Sequence, residues 1–293
     1  MLELYGQCHG STVLLHGGAG GQDPKTPDTV SKATAALKTS AAEAIKALDA
    51  GLDPMQVLTQ VLGKLEDDPQ FNAGTGSALQ SDGQIRLTAA IMDGARQSFS
   101  AVISCSYIKN PSLLAQHLQS ESSRVLTNPG AELLARKLLL PVASSLTEAR
   151  VNDWVKKVPE SGCDTVGCVI RTAQGRILVG TSTGGRGFEF PGRVSDSGTV
   201  AGTYASKFAG ISATGIGEEI VDDGLAVRLE TRCRDGWTLE KAGRLAFKEA
   251  VALKRLYGWI ALDADGFWNA AYTTAAMSFV VFDGKKGLVH CSK

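Results

Sequence analysis

The chain has 293 residues, of which 43% are hydrophobic, and its 30 basic side chains balance its 30 acidic ones. This composition supports a large core, and zero net charge argues against a dedicated nucleic-acid or membrane-surface binder, because such proteins concentrate basic residues on one face. Apolar runs are far shorter than the roughly 20 residues that cross a bilayer, and no secretion signal opens the chain. We therefore expect a cytoplasmic protein with neither nucleic acid nor membrane as a partner.

The first half of the chain combines short strands with helices. An apolar run at residues 11–15 leads into the glycine-rich string at 16–21, which predicts a strand ending in a turn. Residues 29–50 are predicted to form a helix. Asp53 and Pro54 are typical of the N-cap and first turn of a second helix. The remaining predictions in this half are strands at 84–92 and 99–104 and helices at 111–119 and 130–139.

The second half is richer in β-branched residues. Residues 141–162 show weak periodicity over a span longer than most connections, and we interpret them as a mobile linker. Strands are predicted at 165–171, 176–182, 208–213, 259–262, 267–272, 278–282 and 287–291, and helices at 218–231 and 238–257. Strands grouped in each half, with helices between them, favour an α/β protein of stacked sheets covered by helices rather than a regular βαβ alternation.

Several common catalytic motifs are absent from the sequence. It lacks a GxxxxGK[ST] phosphate loop, a GxGxxG segment opening a helix, a GxSxG elbow and an HExxH pair. The histidines, His9, His16, His117 and His290, have the spacing of structural or surface residues rather than of metal ligands. No catalytic cofactor is therefore expected, and the candidate chemistry rests on threonine and glycine.

Thr165 stands at the predicted start of a strand, directly after the linker. If the peptide bond before it were cut, the new α-amino group, with an ordinary pKa of about 7.7 to 8.0, could act as general base for the threonine's own hydroxyl. The alternative is that Thr165 is an ordinary strand former, which its β-branched side chain also favours. Other segments must therefore decide between the two interpretations.

Three later segments carry groups that such a nucleophile would need. Thr183 ends a hydroxyl-rich strand beside a glycine turn, where turn chemistry alone could also account for it. Arg193 and Asp196 lie in a glycine-proline loop and could bind the carboxylate and ammonium of an amino acid, or form a surface ion pair. Thr214 and Gly215 lie between a strand and a helix, where an oxyanion site and a helix cap are both possible.

Seven motifs in this order resemble the plant-type asparaginase and isoaspartyl peptidase family of N-terminal nucleophile hydrolases. They are HGGAG at 16–20, FNAGTGS at 71–77, MDG at 92–94, TVG at 165–167, TSTGG at 181–185, PGRVSDS at 191–197 and TGIGE at 214–218. The match spans most of the chain. It implies a four-layer αββα sandwich, with residues 1–293 forming one domain that cleaves itself into segments 1–164 and 165–293.

The resemblance also implies a role for each site residue. Thr165 would be the nucleophile freed by self-cleavage after Asp164, and Thr183 would support it. The substrate's α-carboxylate would bind Arg193 and its α-amino group would bind Asp196. The remaining assignments are Thr214 and Gly215 as the oxyanion pair, and Asn72 and Gly217 as residues lining the site.

A structural sodium ion and a homodimer of processed units are further implications of the resemblance. The ion would be held by the backbone carbonyls of Leu65, Glu66, Asp68, Phe71, Ala73 and Thr75, and oxygen ligands of this kind suit a hard cation. The substrates implied are β-aspartyl dipeptides and L-asparagine, hydrolysed by an isoaspartyl peptidase with L-asparaginase activity.

Two other functions stay open at this point. An Asp-Thr pair at the cleavage position, here Asp164 and Thr165, resembles glycosylasparaginases and threonine endopeptidases of the taspase type, whereas asparaginase-like members usually have glycine before the nucleophile. A relative that binds aspartate but never frees Thr165 would carry the same motifs.

Overall fold

The computed structural model describes residues 1–20, 27–157, 162–163, 165–283 and 288–291. Its strands are β1 (Leu2–Gln7), β2 (Thr12–Gly20), β3 (Leu87–Asp93), β4 (Ser98–Cys105), β5 (Val125–Thr127), β6 (Gly162–Cys163), β7 (Val166–Arg171), β8 (Ile177–Thr183), β9 (Thr203–Ala205), β10 (Ala209–Gly215), β11 (Tyr257–Asp263), β12 (Phe267–Tyr272), β13 (Ala276–Phe282) and β14 (Leu288–Cys291). Its helices are α1 (Pro27–Asp49), α2 (Pro54–Asp67), α3 (Pro111–Leu118), α4 (Gly130–Lys137), α5 (Glu148–Val155), α6 (Gly217–Asp223), α7 (Leu225–Arg234) and α8 (Leu239–Ala252).

The strands form two sheets. Within the described residues the larger sheet has the order β14-β13-β2-β7-β8-β3-β4-β5, with β6 also paired to β2, and the smaller has the order β1-β12-β11-β10-β9. All the pairings are antiparallel except that of β4 with β5. Strands β7 and β8 lie in the middle of the larger sheet, so the region after the predicted cleavage position forms part of its core.

The two sheets pack face to face, and helices cover both outer faces. Helices α1 and α2 bury Leu37 and Leu62 against the outer face of the larger sheet, while α7 and α8 bury Leu229 and Ala246 against the smaller sheet. An apolar cluster that includes Leu14 of β2 fills the space between the sheets. This αββα arrangement confirms the predicted four-layer α/β fold. In the ranges that the structure describes, no helix combines the length and apolar character needed to span a membrane.

Most of the predicted elements are confirmed with small shifts at their ends. The helix predicted at 238–257 is an exception, because α8 ends at Ala252, the chain turns at Lys254 with a φ of 56°, and Tyr257 begins β11. Helix α2 begins as predicted, with the Asp53 carboxylate accepting hydrogen bonds from the backbone amides of Met55 and Gln56 at 3.0 and 3.1 Å. Helix α8 is likewise capped by the hydroxyl of Thr238. These caps satisfy amides that the helix itself leaves unpaired, which is why short polar residues predict helix starts well.

Three other predictions about local structure are wrong. Strand β2 runs through the glycine string to Gly20, because β7, β6 and β13 pair with it on both sides. The proposed linker contains α5, which is anchored by hydrogen bonds from Arg150 Nε to the Gly76 carbonyl (2.6 Å) and from Trp154 Nε1 to the Gln80 carbonyl (2.9 Å). The helix predicted at 218–231 is divided at Gly224, whose φ of 54° ends α6.

Side chains that point into the space between the sheets form successive rows. Strand pairing aligns Leu14 of β2, Val169 of β7 and Val179 of β8 in one row, and all three lie in the apolar cluster between the sheets. Two residues along each strand, the next row holds His16, Gly167 and Thr181. Because side chains alternate between faces along a strand, the following row brings Thr165 and Thr183 to the same space.

Candidate active site

Thr165 lies at the polar end of the space between the sheets, immediately before β7. Its side chain is buried, and its hydroxyl donates to Thr183 Oγ1 at 3.1 Å. Thr183 Oγ1 also accepts a hydrogen bond from the backbone amide of Gly185 at 3.1 Å. Two donors directed at one oxygen fix the Thr183 hydroxyl, and it in turn orients the hydroxyl of Thr165.

Asn72 lies behind this threonine pair and connects two loops. Its side-chain amide donates to the carbonyl of Gly185 at 2.7 Å, and its carbonyl oxygen accepts from the amide of Ala78 at 2.8 Å. The backbone carbonyl of Asn72 accepts from the amide of Gly184 at 2.8 Å. Asn72 therefore holds the turn after β8 in place, and with it the position of Thr183.

Arg193 and Asp196 meet at the start of α6. A Cβ atom built on Gly217, the first residue of that helix, would lie 2.6 Å from both Arg193 Nη2 and Asp196 Oδ1. A side chain at this position would therefore displace one of the two charged groups, which explains why the close approach needs glycine. The structure brings together these three residues, which the sequence predicts as substrate ligands.

Asp196 is buried and incompletely hydrogen bonded. Its Oδ1 accepts from the hydroxyl of Ser195 at 3.2 Å, whereas its Oδ2 is buried without a hydrogen-bond partner within the described part of the chain. Burial raises the pKa of Asp196 to about 6, although the nearby Arg193 guanidinium acts to lower it. An acceptor buried without a donor is costly, so this oxygen is well suited to bind a cationic ligand.

Glu218 is a site residue to which the sequence assigned no role. Arg193 binds it with two hydrogen bonds, Nε to Oε1 at 2.7 Å and Nη2 to Oε2 at 3.1 Å, and Arg186 Nη1 contacts Oε2 at 3.1 Å. These bonds, first of all those from Arg193, lower the pKa of Glu218 to about 2. Glu218 thus fixes the orientation of Arg193. The only signal in the sequence was its place directly after Gly217 in the TGIGE motif.

Thr214 and Gly215 end β10 on the side of the smaller sheet. Thr214 points between the sheets, and its hydroxyl accepts a hydrogen bond from the backbone amide of Ala19 in β2 at 3.2 Å. Gly215 has a φ of 130° and lies against the backbone of Tyr257. The alternation of side chains along β10 puts Thr214 in the same row as Thr165 and Thr183.

The strand register changes by one residue across the predicted cleavage position. Strand β2 pairs His16 with Gly167 of β7 and Ala19 with Cys163 of β6. Between these pairs β2 has two residues and its partner has three, as in a β-bulge, which locally bends a strand and breaks its ladder. Asp164 itself lies outside the described residues.

The predicted sodium ligands lie at the end of α2 and in the loop that follows it. This loop returns to the helix, because the amide of Thr75 donates to the carbonyl of Glu66 at 2.7 Å. The carboxylate of Glu66 is bound elsewhere, accepting hydrogen bonds from the amide and hydroxyl of Ser112 at 3.1 and 2.8 Å. The carboxylate of Glu66 is therefore directed away from the predicted ion, to which this residue would offer its backbone carbonyl. Nowhere in the described ranges do three or more His, Cys, Asp or Glu side chains form a metal-binding group.

Comparisons with known proteins identify the family of this chain. The family model described as "Asparaginase" matches residues 9–162 and 155–289. A protein of Nostoc sp. named isoaspartyl peptidase/L-asparaginase is 40% identical over 94% of this chain and 92% of its own length. One of the same name from Synechocystis sp. is 42% identical, covering 87% of this chain and 82% of the relative. The plant-type L-asparaginase of Pyrococcus horikoshii is 32% identical over 91% of this chain and 94% of the relative. The chain therefore belongs to the asparaginase family, as the resemblance of its motifs predicted.

Proposed function

We propose that this chain is an isoaspartyl peptidase with L-asparaginase activity, which hydrolyses β-aspartyl amide bonds with Thr165 as an N-terminal nucleophile. The observation that carries the proposal is the 3.1 Å hydrogen bond between the buried hydroxyls of Thr165 and Thr183. Such a contact is typical of a nucleophile oriented by a second group. The names of the relatives from Nostoc and Synechocystis support the choice of substrate.

The chemical steps use groups of the chain, the substrate and one water molecule. The Thr165 oxygen attacks the side-chain carbonyl carbon of the aspartyl unit, and its proton passes to the α-amine of Thr165. The same proton then moves to the leaving nitrogen as the carbon-nitrogen bond breaks, which leaves an aspartyl ester on Thr165. Water hydrolyses this ester, releases aspartate and restores the hydroxyl.

The charged pair would hold the aspartyl unit by both of its α groups. Glu218 binds the Nε hydrogen and one Nη2 hydrogen of Arg193, which leaves the second Nη2 hydrogen and both Nη1 hydrogens to donate to the substrate α-carboxylate. The buried Oδ2 of Asp196 would accept from the α-ammonium group. Opposite charges at the two ends would fix the orientation of the substrate and reject ligands that lack either group.

The negative charge that develops on the carbonyl oxygen would be held by Thr214 and Gly215. Both lie at the end of β10, in the row that contains Thr165. A hydroxyl and a backbone amide fixed by a strand can stabilise an oxyanion without reorganising during the reaction.

Self-cleavage between Asp164 and Thr165 is part of the proposal, because the amide nitrogen of Thr165 cannot act as a base before it is freed. The one-residue register change between β2 and its partners at Gly167 and Cys163 supports cleavage at this point, since a bulge removes ladder hydrogen bonds there. The products would be segments 1–164 and 165–293 of one domain. They would pair as a homodimer of processed units, as in the family resemblance.

A structural sodium ion is also proposed, held by the carbonyls of Leu65, Glu66, Asp68, Phe71, Ala73 and Thr75. The loop fits such an ion because it closes on the end of α2 through the bond between Thr75 and Glu66, and a carbonyl oxygen that accepts one hydrogen bond keeps a second lone pair. Exchange of sodium for choline should lower the unfolding temperature if the site is used.

Intact-mass measurement and substrate comparison test the function together. We expect two fragments that divide between residues 164 and 165, followed by release of aspartate from β-aspartyl dipeptides and L-asparagine. Because Asp164 also fits glycosylasparaginases and threonine endopeptidases, N-glycosyl-asparagine and folded protein substrates should be assayed in parallel. A folded protein that stays uncut and hydrolyses none of these substrates would instead be an aspartate-binding relative, which calorimetry with aspartate would identify.

A further inference from the structure

A chain of buried hydrogen bonds crosses the space between the sheets one row below Thr165. His16 Nε2 lies 2.9 Å from Ser212 Oγ, which lies 2.8 Å from Thr181 Oγ1. Thr203 Oγ1 lies 2.7 Å from Thr181 Oγ1 and 3.0 Å from the carbonyl oxygen of Ser197. The five residues are all buried. We call this series of contacts the inter-sheet chain.

The glycine of the TVG motif makes this arrangement possible. Gly167 stands between His16 and Thr181 in the strand pairing, and a Cβ atom at Gly167 would collide with both His16 Nε2 and Ser212 Oγ. The hydrogen bond between those two side chains therefore passes through the space that a side chain at 167 would fill. That space lies two residues from Thr165, on the same face of the sheet.

The hydroxyl of Thr203 lies at one end of the inter-sheet chain. It is the donor in its contacts with both Thr181 Oγ1 and the carbonyl oxygen of Ser197, so its one hydrogen is shared between two acceptors. Either hydroxyl can donate between Thr181 and Ser212, and the role of His16 Nε2 depends on the tautomer of the ring. The contacts therefore connect His16 to Ser197 through three hydroxyls.

The imidazole of His16 is neutral, and one of its two nitrogens lacks a hydrogen-bond partner in the described residues. Burial lowers the pKa of His16 to about 3, although the neighbouring backbone of Thr165 acts in the opposite direction. Nε2 contacts Ser212, whereas Nδ1 is buried and has no hydrogen-bond partner in the described part of the protein. The ring thus lies, uncharged, against the backbone of Thr165, the predicted nucleophile.

We propose that His16 is a positioning residue for the active site. His16 lies opposite Gly167 in the pairing of β2 with β7, beside the backbone of Thr165, and the inter-sheet chain connects it to the turn Asp196–Gly198, which carries the predicted ligand of the substrate amine. A series of buried hydrogen bonds fixes the spacing between the two, so the aspartyl carbonyl meets the hydroxyl of Thr165 at a constant distance. A misplacement of about 1 Å can reduce turnover about a hundredfold. This inference rests on the proposed function.

Substitutions at the far end of the inter-sheet chain test the proposal without touching His16 or substrate. Thr203→Val removes the hydroxyl at nearly constant volume, and Thr203→Ser retains it. We expect Thr203→Val to lower kcat for a β-aspartyl dipeptide about 10- to 100-fold with little change in KM, and Thr203→Ser to stay within about threefold of wild type. His16→Gln, which keeps a hydrogen-bonding group near the Nε2 position, should keep more kcat than His16→Phe.

Ser100→Ala is the matched control, because Ser100 is also fully buried and donates to a backbone carbonyl, that of Ala115 at 2.6 Å, but lies outside the inter-sheet chain. It should lose comparable stability and keep normal kcat. The proposal is overturned if Thr203→Val and Ser100→Ala reduce kcat equally, or if Thr203→Ser is as impaired as Thr203→Val.

The imidazole of His16 gives a readout independent of activity. Nitrogen NMR of imidazole-labelled protein should find one histidine that stays neutral from pH 5 to 8, and Ser212→Ala should move its resonances. A resonance that Ser212→Ala leaves in place, or a set of histidines that all titrate in this range, would overturn the inter-sheet chain. If the wild-type protein cleaved no β-aspartyl substrate, the proposed function would fail, whereas the NMR result would still decide whether the inter-sheet chain exists as described.

Discussion

The space between the two sheets has an apolar end and a polar end that are built by the same strands. At the apolar end, Leu14, Val169 and Val179 pack in one row with no exposed surface. Four residues along β7 and β8, Thr165 and Thr183 form the polar end, where their hydroxyls are hydrogen bonded to each other. The backbone pairing is the same at both ends, and only the side chains change.

Because of this difference, the side chains that stabilise the fold and those that orient the reaction occupy different rows of the same layer. Apolar rows bury surface with no directional requirement, at about 25 cal/mol per Å² of area removed from water. Polar rows stay buried only where each donor finds an acceptor, and such fixed groups are suited to orient a reaction. The inter-sheet chain from His16 marks the boundary between the two. Substitutions at each end should therefore have distinct consequences.

The largest effect is expected at the polar end from Thr165→Ala. Loss of the nucleophile should leave one uncut chain and reduce turnover by about 10⁴-fold or more, while the unfolding free energy changes by only about 1 kcal/mol, the typical value of one hydrogen bond. Intact mass, aspartate release and denaturant unfolding measure the three quantities. Thr165→Ser is the control that retains a hydroxyl, and appreciable turnover by the alanine variant would refute the assignment.

At the apolar end, Leu14→Ala should have the opposite profile. Leu14 is fully buried, so removal of its side chain should lower the unfolding free energy by about 2–5 kcal/mol through lost transfer energy and the cavity left behind. At low temperature, where the variant stays folded, kcat and KM should remain close to wild type. Leu113→Ala on α3, where the side chain is 41% exposed, is the matched control with a small expected loss. A large fall in kcat without loss of stability would contradict the separation.

Asp196, the charged side chain predicted to bind the substrate amine, should make KM depend on pH. The pKa of Asp196 is raised to about 6 by burial, so its carboxylate becomes protonated as the pH falls from 7 to 5 and can no longer bind an ammonium group by charge. We expect KM to rise over this interval in the wild type. Asp196→Asn should raise KM about 10- to 100-fold at pH 7 and remove this pH dependence.

The exposed Asp49 provides the control for Asp196, since Asp49→Asn should leave the KM profile unchanged. A KM that is independent of pH in the wild type would argue against Asp196 as the ligand of the amine. A rise in KM that persists in Asp196→Asn would assign the titration to another group.

The smallest effect on activity is expected at Glu66, a buried side chain of α2 near Ser182 of β8. Burial raises the pKa of Glu66 to about 7, although the nearby Ser182 hydroxyl and the hydrogen bonds from Ser112 act to lower it. A pKa raised by folding favours the protonated form, so its contribution to stability is present at low pH and is lost as the pH rises toward 7.

The measurement is the unfolding free energy of wild type and Glu66→Gln between pH 4.5 and 7.5. Relative to the variant, the wild type should lose roughly 3 kcal/mol over this interval, and kcat should differ little. Parallel stability curves for the two proteins would mean that Glu66 stays ionised throughout, contrary to the expected effect of burial.

The helices and most strands could be predicted because their signals are local. Asp53 and Thr238 cap helices through bonds to amides two or three residues away, and such contacts depend only on nearby sequence. The continuation of β2 through its glycines and the existence of α5 depended instead on distant partners, such as the Gly76 carbonyl that binds Arg150. A local pattern contains no information about those partners.

The candidate site could be predicted in part for a similar reason. Thr165, Thr183, Arg193, Asp196 and Thr214 each stand in a motif that can be read in order along the chain. The partnership of Arg193 with Glu218 and the chain from His16 to Thr203 join side chains from different strands and loops, up to 196 residues apart. No spacing rule connects such residues, and their contact arises only when both sheets have formed.

The sequence by itself determined the α/β class, the helix caps, the family resemblance and which residue types are available for chemistry, because these depend on composition, periodicity and short motifs. The tertiary structure alone decided which groups are buried together. Packing of the two sheets removes His16, Asp196 and Thr165 from water, and burial is what moves the pKa values, makes each hydrogen bond necessary and turns separate motifs into one site.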